Sequence, residues 1–253
     1  MCATAGGHLA SSLSCVDILV ALYCGGPLRP MAGRHDRVDR DRFILSKGHG
    51  EAGLYAILAD QGYFPTHWLW QSYRRGGCLL GGHPDHHIPG IEISSGSLGH
   101  GLGIAAGMAL AAQLDGREPS FFVLLGDAEC TEGSVWEAAM FAAHRRLDNL
   151  VAIVDRNRIG SLDYTENYTG LEPFAHKWRA FGWEVQEVDG HDLSTLLRSI
   201  EQAREARAGA PQVIVANTTK GKGISFVEND PVWHVRGINP QEVIAARAEL
   251  AEP

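Results

Sequence analysis

The feature that most constrains the fold is a regular alternation of two hydrophobic periods from residue 121 onward. FFVLLG (121–126) is an uninterrupted apolar run of strand length, and GSVWEAAMFAAHRRL (133–147) carries its apolar residues at helical spacing. LVAIVD (150–155), WEVQEVDG (183–190) and PQVIVANTT (211–219) read as further strands. EPFAHKWRAFG (172–182), DLSTLLRSIEQAREARAG (192–209) and PQEVIAARAEL (240–250) read as helices. Strands separated by helices cannot close as hairpins, so each crossover returns the next strand in the same direction. The expected fold is α/β: a doubly wound, mainly parallel sheet with helices on both faces. No linker-like stretch interrupts it, and residues 1–253 are expected to form a single domain.

The first 120 residues are less regular. ASSLSCVDILVALYC (10–24) has helical spacing and ends at Gly25-Gly26-Pro27. RHDRVDRDR (34–42) reads as an exposed polar loop, and FILSKGHG (43–50) as a short apolar segment ending in a glycine-flanked histidine. Residues 51–61 and THWLWQSYRR (66–75) read as helices. A long stretch rich in Gly, His and Pro follows (76–101). Long irregular segments in compact domains are commonly functional, and this one carries apolar anchors. Residues 99–114 form a small-residue helix whose Gly and Ala permit close approach. That helix and the one bearing Trp136 are the candidate contact surfaces for another chain.

Charge and cysteine usage exclude several classes. A formal net charge of −8 argues against a general binder of nucleic acid or anionic membrane. The five cysteines (Cys2, Cys15, Cys24, Cys78 and Cys130) show no CxxC spacing. That fits a reducing, cytoplasmic setting without a disulfide scaffold or zinc knuckle, and Cys130 reads as a buried structural thiol. No apolar run is long enough to span a membrane, and the N-terminus lacks the pattern of a signal peptide.

In an open parallel sheet, ligands bind beyond the carboxyl ends of the strands. GDAECTEG (126–133) follows one strand and Asp155-Arg156-Asn157 ends the next. Asp127 offers a carboxylate oxygen, Asn157 an amide oxygen and Ile159 a main-chain carbonyl, a donor set suited to Mg²⁺. The N–H groups around Gly126–Ala128 and the helix that follows suit diphosphate oxygens. By spacing alone, ordinary strand-to-helix turns account for these residues equally well. Four histidines shift the balance: His8, His49 and His83 adjoin glycines and His234 lies in a later loop, so the four could converge on one cleft and handle protons near neutral pH. HPDHH (83–87) is set aside as a zinc site because the adjacent His86 and His87 rarely face one metal.

Taken in order, GGHLASSLSCVDILVALY, DRFILSKGHG, GGHPD, SGSLGHGLGIAAGMALA, GDAECTEG, DRNRIGS and TKGKGISF resemble the thiamine-diphosphate-binding N-terminal region of transketolases over nearly the whole chain. The resemblance implies transfer of a two-carbon ketol unit from a ketose to an aldose, with thiamine diphosphate and Mg²⁺ as cofactors. By motif, Asp127, Asn157 and the Ile159 carbonyl hold the metal. Gly96, Ser97 and Leu98 pack on the aminopyrimidine side. Gly126, the main chain at Ala128 and the ring of His49 reach the diphosphate region. His8, His83 and His234 face the substrate and move protons, with His234 also against the cofactor. Glu132 corresponds to a buried acid that meets the cofactor-activating glutamate across a subunit interface; read from the residues alone, it is a helix N-terminal acid favoured by the dipole.

The family also carries a pyrimidine-binding domain, which supplies that glutamate, and a C-terminal domain. The resemblance therefore implies a split transketolase whose second subunit brings both domains, in an α2β2 heterotetramer. Four departures stand out: Ala128 for the usual Gly, Arg156 and Arg158 around Asn157, and His100 where Gln is common. Ala128 and the two arginines support a rival reading as a degenerate scaffold subunit, against which the retention of Asp127, Asn157, Glu132 and the histidines speaks. Another rival is an E1 alpha-type thiamine-diphosphate enzyme subunit, against which DRFILSKGHG and GGHPD speak.

Overall fold

The computed structural model describes residues 7–29, 37–161 and 163–251. Cys2 and residues 34–36 of the arginine-rich loop lie outside them. In chain order the elements are α1 (Leu9–Leu13), α2 (Val16–Cys24), β1 (Arg42–Leu45), α3 (Glu51–Asp60), α4 (Trp68–Gln71), α5 (Gly101–Leu114), β2 (Phe121–Gly126), α6 (Gly133–His144), β3 (Leu150–Arg156), α7 (Thr165–Tyr168), α8 (Phe174–Ala180), β4 (Glu184–Asp189), α9 (Leu193–Glu205), β5 (Gln212–Asn217) and α10 (Pro240–Ala251).

Among the described residues the strands form one sheet in the order β1-β2-β3-β5-β4, and every pairing is parallel. Side chains alternate between two cores, as strand geometry requires. Phe43, Leu45, Phe122, Leu124, Val151 and Ile153 pack on one side with α2, α3 and α9. Ile44, Val123, Leu125, Ala152 and Val154 pack on the other with α5, α6 and α8. Burial on both faces is why these strands read as continuous apolar runs. The edge strand β4 is half-exposed, consistent with its mixed sequence. A third cluster of Ala10, Ile224, Val227, Trp233 and Ala246 pins α1 and α10 around the turn that carries His234.

Three expectations need correction. The helix expected over 10–24 is broken into α1 and α2 at Ser14-Cys15, and the break turns the Ser14 hydroxyl toward the Asp155 carboxylate, 2.6 Å away. THWLWQSYRR forms only the single turn α4, because the chain reverses through Arg74 at φ 54° into Gly76-Gly77. The loop over 34–42 is not uniformly exposed: Asp41 is buried, accepting from Ser120 N–H at 2.8 Å, Arg29 N–H at 3.0 Å and Arg204.

Candidate active site

Because all five strands run one way, their carboxyl ends share one side of the sheet. β1 delivers Ser46 to His49 there, β2 delivers Asp127, β3 delivers Asp155 to Asn157, and β5 delivers Thr218 to Lys220. Asp127, Asn157, Ile159, Ala128, Gly126, His49, Leu98 and His234 line one narrow cleft. The cleft floor is polar and buried, so its charges must be compensated.

Beneath the cleft, Lys47 and Asp155 form a buried ion pair. Burial alone would raise the Asp155 carboxyl, but Lys47 and hydrogen bonds from Ser14 and Thr218 hold it below its ordinary value. Asn157 Nδ2 donates to Asp155 Oδ2 at 3.1 Å, and its Oδ1 accepts from Ile159 N–H at 3.1 Å. The amide is thereby oriented by two bonds. Glu129 is a second buried acid. It accepts from Gly99 N–H at 2.9 Å, from Gly126 N–H at 3.0 Å and from the Ser46 hydroxyl. One carboxylate thus joins the glycine loop to the ends of β1 and β2. In that loop Gly96 has φ 142°, and a Cβ there would lie 2.9 Å from the His83 ring, so only glycine fits.

Asp127 is buried, which pushes its carboxyl up against the opposing pull of Arg156. Its Oδ1 accepts from Ala128 N–H at 2.7 Å, and its Oδ2 accepts from Arg158 N–H at 2.6 Å and Arg156 Nη1 at 2.9 Å. The Ile159 carbonyl accepts from Lys220 Nζ at 2.9 Å, and the same ammonium lies 2.8 Å from His234 Nδ1. Burial first, and then Lys47, lowers Lys220 to about 8. The three oxygens expected to hold a metal therefore share one cleft. They suit a hard cation, and a lysine ammonium already rests on one of them. The Ile159 carbonyl keeps its second lone pair, so a cation bound there would sit beside the Lys220 ammonium.

The four histidines do converge. His8 and His49 have ring centroids 4.4 Å apart, His49 and His83 5.0 Å, His8 and His83 5.6 Å, and His49 and His234 5.8 Å. Burial depresses His49 to about 4 and His234 to about 3, and lowers His83, so these rings are neutral near pH 7. His8 Nδ1 lies 3.6 Å from the buried Glu51 Oε2, and neither atom has a hydrogen-bond partner. Glu51 Oε1 is held by the Tyr73 hydroxyl at 2.8 Å.

Other expected residues fall differently. Glu132 is exposed at the N-cap of α6 in the single chain, and its side chain makes no cap hydrogen bond; the acid of this motif that the chain itself buries is Glu129. Ser97 is exposed, while Leu98 lines the cleft. Ala128 is not among the described residues with positive φ, so its methyl group carries no backbone strain. Arg156 turns into the protein below Asp127, Arg158 reaches Asn217 Oδ1 at 3.1 Å, and His100 is exposed at the start of α5. Cys130 is buried, as expected. Trp136 packs against Phe174, Trp178 and Phe181, while Met140 and Phe141 on the same helix are exposed. His86 and His87 do not diverge: their rings lie 3.9 Å apart, and His87 Nδ1 is 2.6 Å from Asp85. Lys47, Glu129 and Lys220 are site residues that the sequence does not single out, although Lys47 and Lys220 each precede a glycine in the motifs quoted above.

Hard oxygens at the strand ends, with neutral imidazoles standing over them, give this α/β domain a polar ligand-binding cleft. Residues 2–252 match the model of the transketolase thiamine diphosphate binding domain. The chain is 42% identical to a component of the apulose-4-phosphate transketolase of Actinobacillus succinogenes, covering 98% of this chain and 89% of that one. It is 44% identical to the 6-deoxy-6-sulfo-D-fructose transketolase subunit of a Clostridium species, covering 96% and 88%. The crystal structure of Campylobacter jejuni transketolase superposes with a TM-score of 0.90 at 29% identity, covering 97% of this chain and 39% of that one. The chain thus spans about two-fifths of that solved transketolase. It belongs to the transketolase family, as a thiamine-diphosphate-binding N-terminal portion.

Proposed function

We propose that this chain is the thiamine-diphosphate- and Mg²⁺-dependent subunit of a transketolase, transferring a two-carbon ketol unit from a ketose to an aldose. The observation that carries the reading is the gathering of Asp127, Asn157, the Ile159 carbonyl and four histidines at one end of the sheet. When bound, the cofactor supplies the nucleophilic carbon and the electron sink of ketol transfer. Asp127, Asn157 and Ile159 hold the metal; Gly126, Ala128 and His49 serve the diphosphate end; Gly96, Ser97 and Leu98 pack on the ring end. His8, His83 and His234 bind the sugar hydroxyls and carry protons, which neutral imidazoles can both accept and return. Glu132, at the exposed start of α6, meets the partner subunit's acid.

The partner is a second polypeptide with the pyrimidine-binding and C-terminal domains, in an α2β2 assembly. Two relatives of nearly this length are named as transketolase subunits and not as whole enzymes, which supports a second chain. Ile104 on α5 and Phe141 on α6 line one open surface recess with Ser134 and Glu137 and expose apolar surface for it. No described helix is long and apolar enough to cross a membrane, and the described cysteines are unpaired, which supports a cytoplasmic enzyme. The relatives' names specify a phosphorylated and a sulfonated sugar, which supports an anionic substrate here. The test is ketol transfer by the chain mixed with its candidate partner, assayed against phosphorylated and sulfonated ketoses. Transfer that needs both chains, thiamine diphosphate and Mg²⁺ is expected; a pair that binds both cofactors yet transfers nothing from any ketose would refute the activity.

A further inference from the structure

Arg156 is one of the two arginines that flank Asn157 where the family resemblance leads one to expect Asp or Asn and Gly, and in sequence it counts as a departure from the site. Its side chain is only 2% exposed and packs beneath the cleft. Nη1 donates to Asp127 Oδ2 at 2.9 Å and to the Thr165 hydroxyl at 3.0 Å. Nη2 donates to Glu172 at 2.9 Å and to Glu166 at 3.2 Å. The guanidinium carbon lies 5.3 Å from the centre of the Phe174 ring. The fork is therefore clamped on its far side by two carboxylates and an aromatic face, with one nitrogen committed to Asp127.

The effect on Asp127 follows from counting lone pairs. Oδ2 takes both the Arg156 Nη1 and the Arg158 N–H, and is filled. Oδ1 takes only Ala128 N–H and keeps a lone pair. We propose that Arg156 is a positioning residue for the metal site: it locks the Asp127 carboxylate so that Oδ1 alone is offered to a cation, and it ties that carboxylate to the 163–174 segment through Glu166 and Glu172. This rests on Asp127 being a metal ligand, the reading given above. Lysine keeps the charge but cannot bridge Asp127 and Glu172 with the two arms of a planar fork. The positioning role therefore belongs to the fork and not to the positive charge.

The experiment measures Mn²⁺ uptake by the full chain in the presence of thiamine diphosphate, with and without the partner subunit. The readout is loss of the sharp electron paramagnetic resonance signal of hydrated Mn²⁺, followed for wild type, Arg156→Lys and Arg156→Met. Loss of a partner behind a metal ligand costs about tenfold or more in metal affinity, and both variants are expected to show it. If wild type takes up no Mn²⁺, the metal reading itself fails. If wild type binds and both variants stay within about twofold of it, even with a lowered melting temperature, the positioning role is overturned, because a supporting side chain should cost more than that. Should Arg156→Met not fold, Glu172→Gln loosens the fork from its exposed end and is expected to weaken Mn²⁺ by about threefold, in line with an exposed ion pair; unchanged affinity there also overturns the role.

Discussion

Lys47 and Asp155 form a buried ion pair that ties the end of β1 to the end of β3 across the intervening β2. A cleft built from three strand ends keeps its shape only if those ends stay in register, and this pair spans them. Lys47→Met removes one partner and leaves a buried carboxylate with only hydroxyl and amide donors. The expected loss is about 3 kcal/mol of stability. Urea unfolding followed by circular dichroism checks it; a change below about 1 kcal/mol would mean that Ser14, Thr218 and Asn157 suffice.

Glu129 does for the glycine loop what Lys47 does for the strands. Glu129→Ala strands the N–H groups of Gly99 and Gly126 and the Ser46 hydroxyl, at a cost of about 2–3 kcal/mol. Amide hydrogen exchange at Gly99 and Gly126 is expected to accelerate before exchange in the centre of β2 does. Uniform acceleration everywhere would point to global destabilisation instead of a loosened loop.

The histidines give the domain a defined response to acid. Burial holds His49 at about 4 and His234 at about 3, against an ordinary value near 6.5. Between those values the unfolded chain takes up protons that the folded chain refuses, so this contribution is full above about pH 6.5 and declines as the pH falls toward the folded values. Unfolding midpoints in urea should drop from pH 7 to pH 4.5, and His49→Asn should flatten part of the slope. A wild-type profile that is level over that interval would contradict the burial of these rings.

Ala128 is expected to be a neutral departure. Its main-chain N–H is present, and its φ is not positive. Ala128→Gly should leave thiamine diphosphate affinity nearly unchanged and lower stability by at most about 1 kcal/mol. A glycine variant that binds about tenfold more tightly would show that the methyl group obstructs the site, since the conformational cost alone is far smaller and of opposite sign.

These residues also show how far a one-dimensional sequence reveals a fold and its site. Strands β2, β3 and β5 are legible because burial on both faces leaves uninterrupted apolar runs, and the parallel order follows from the helices between them. Asp127, His8, His49 and His83 are legible because glycines flank them or a strand ends there, whereas His234, between Trp233 and Val235, carries no such mark. Lys47 and Asp155 are not: 108 residues separate them, and a buried charge looks the same in one dimension as a solvated one. Arg156 escapes for the same reason, because its four polar partners are scattered over residues 127 to 172. Glu129 escapes as well, because two acids three residues apart in a turn cannot be ranked by burial until the turn's hand is known.

The central claim is that the cleft at the strand ends holds thiamine diphosphate through a metal on Asp127. Isothermal calorimetry of the chain with its partner subunit, titrating thiamine diphosphate in Mg²⁺ and again in excess chelator, tests it most directly, with Asp127→Ala as the third arm. Binding in Mg²⁺ that disappears in chelator and in Asp127→Ala is the predicted result. Equal binding in all three arms, or no binding in the first, would contradict it.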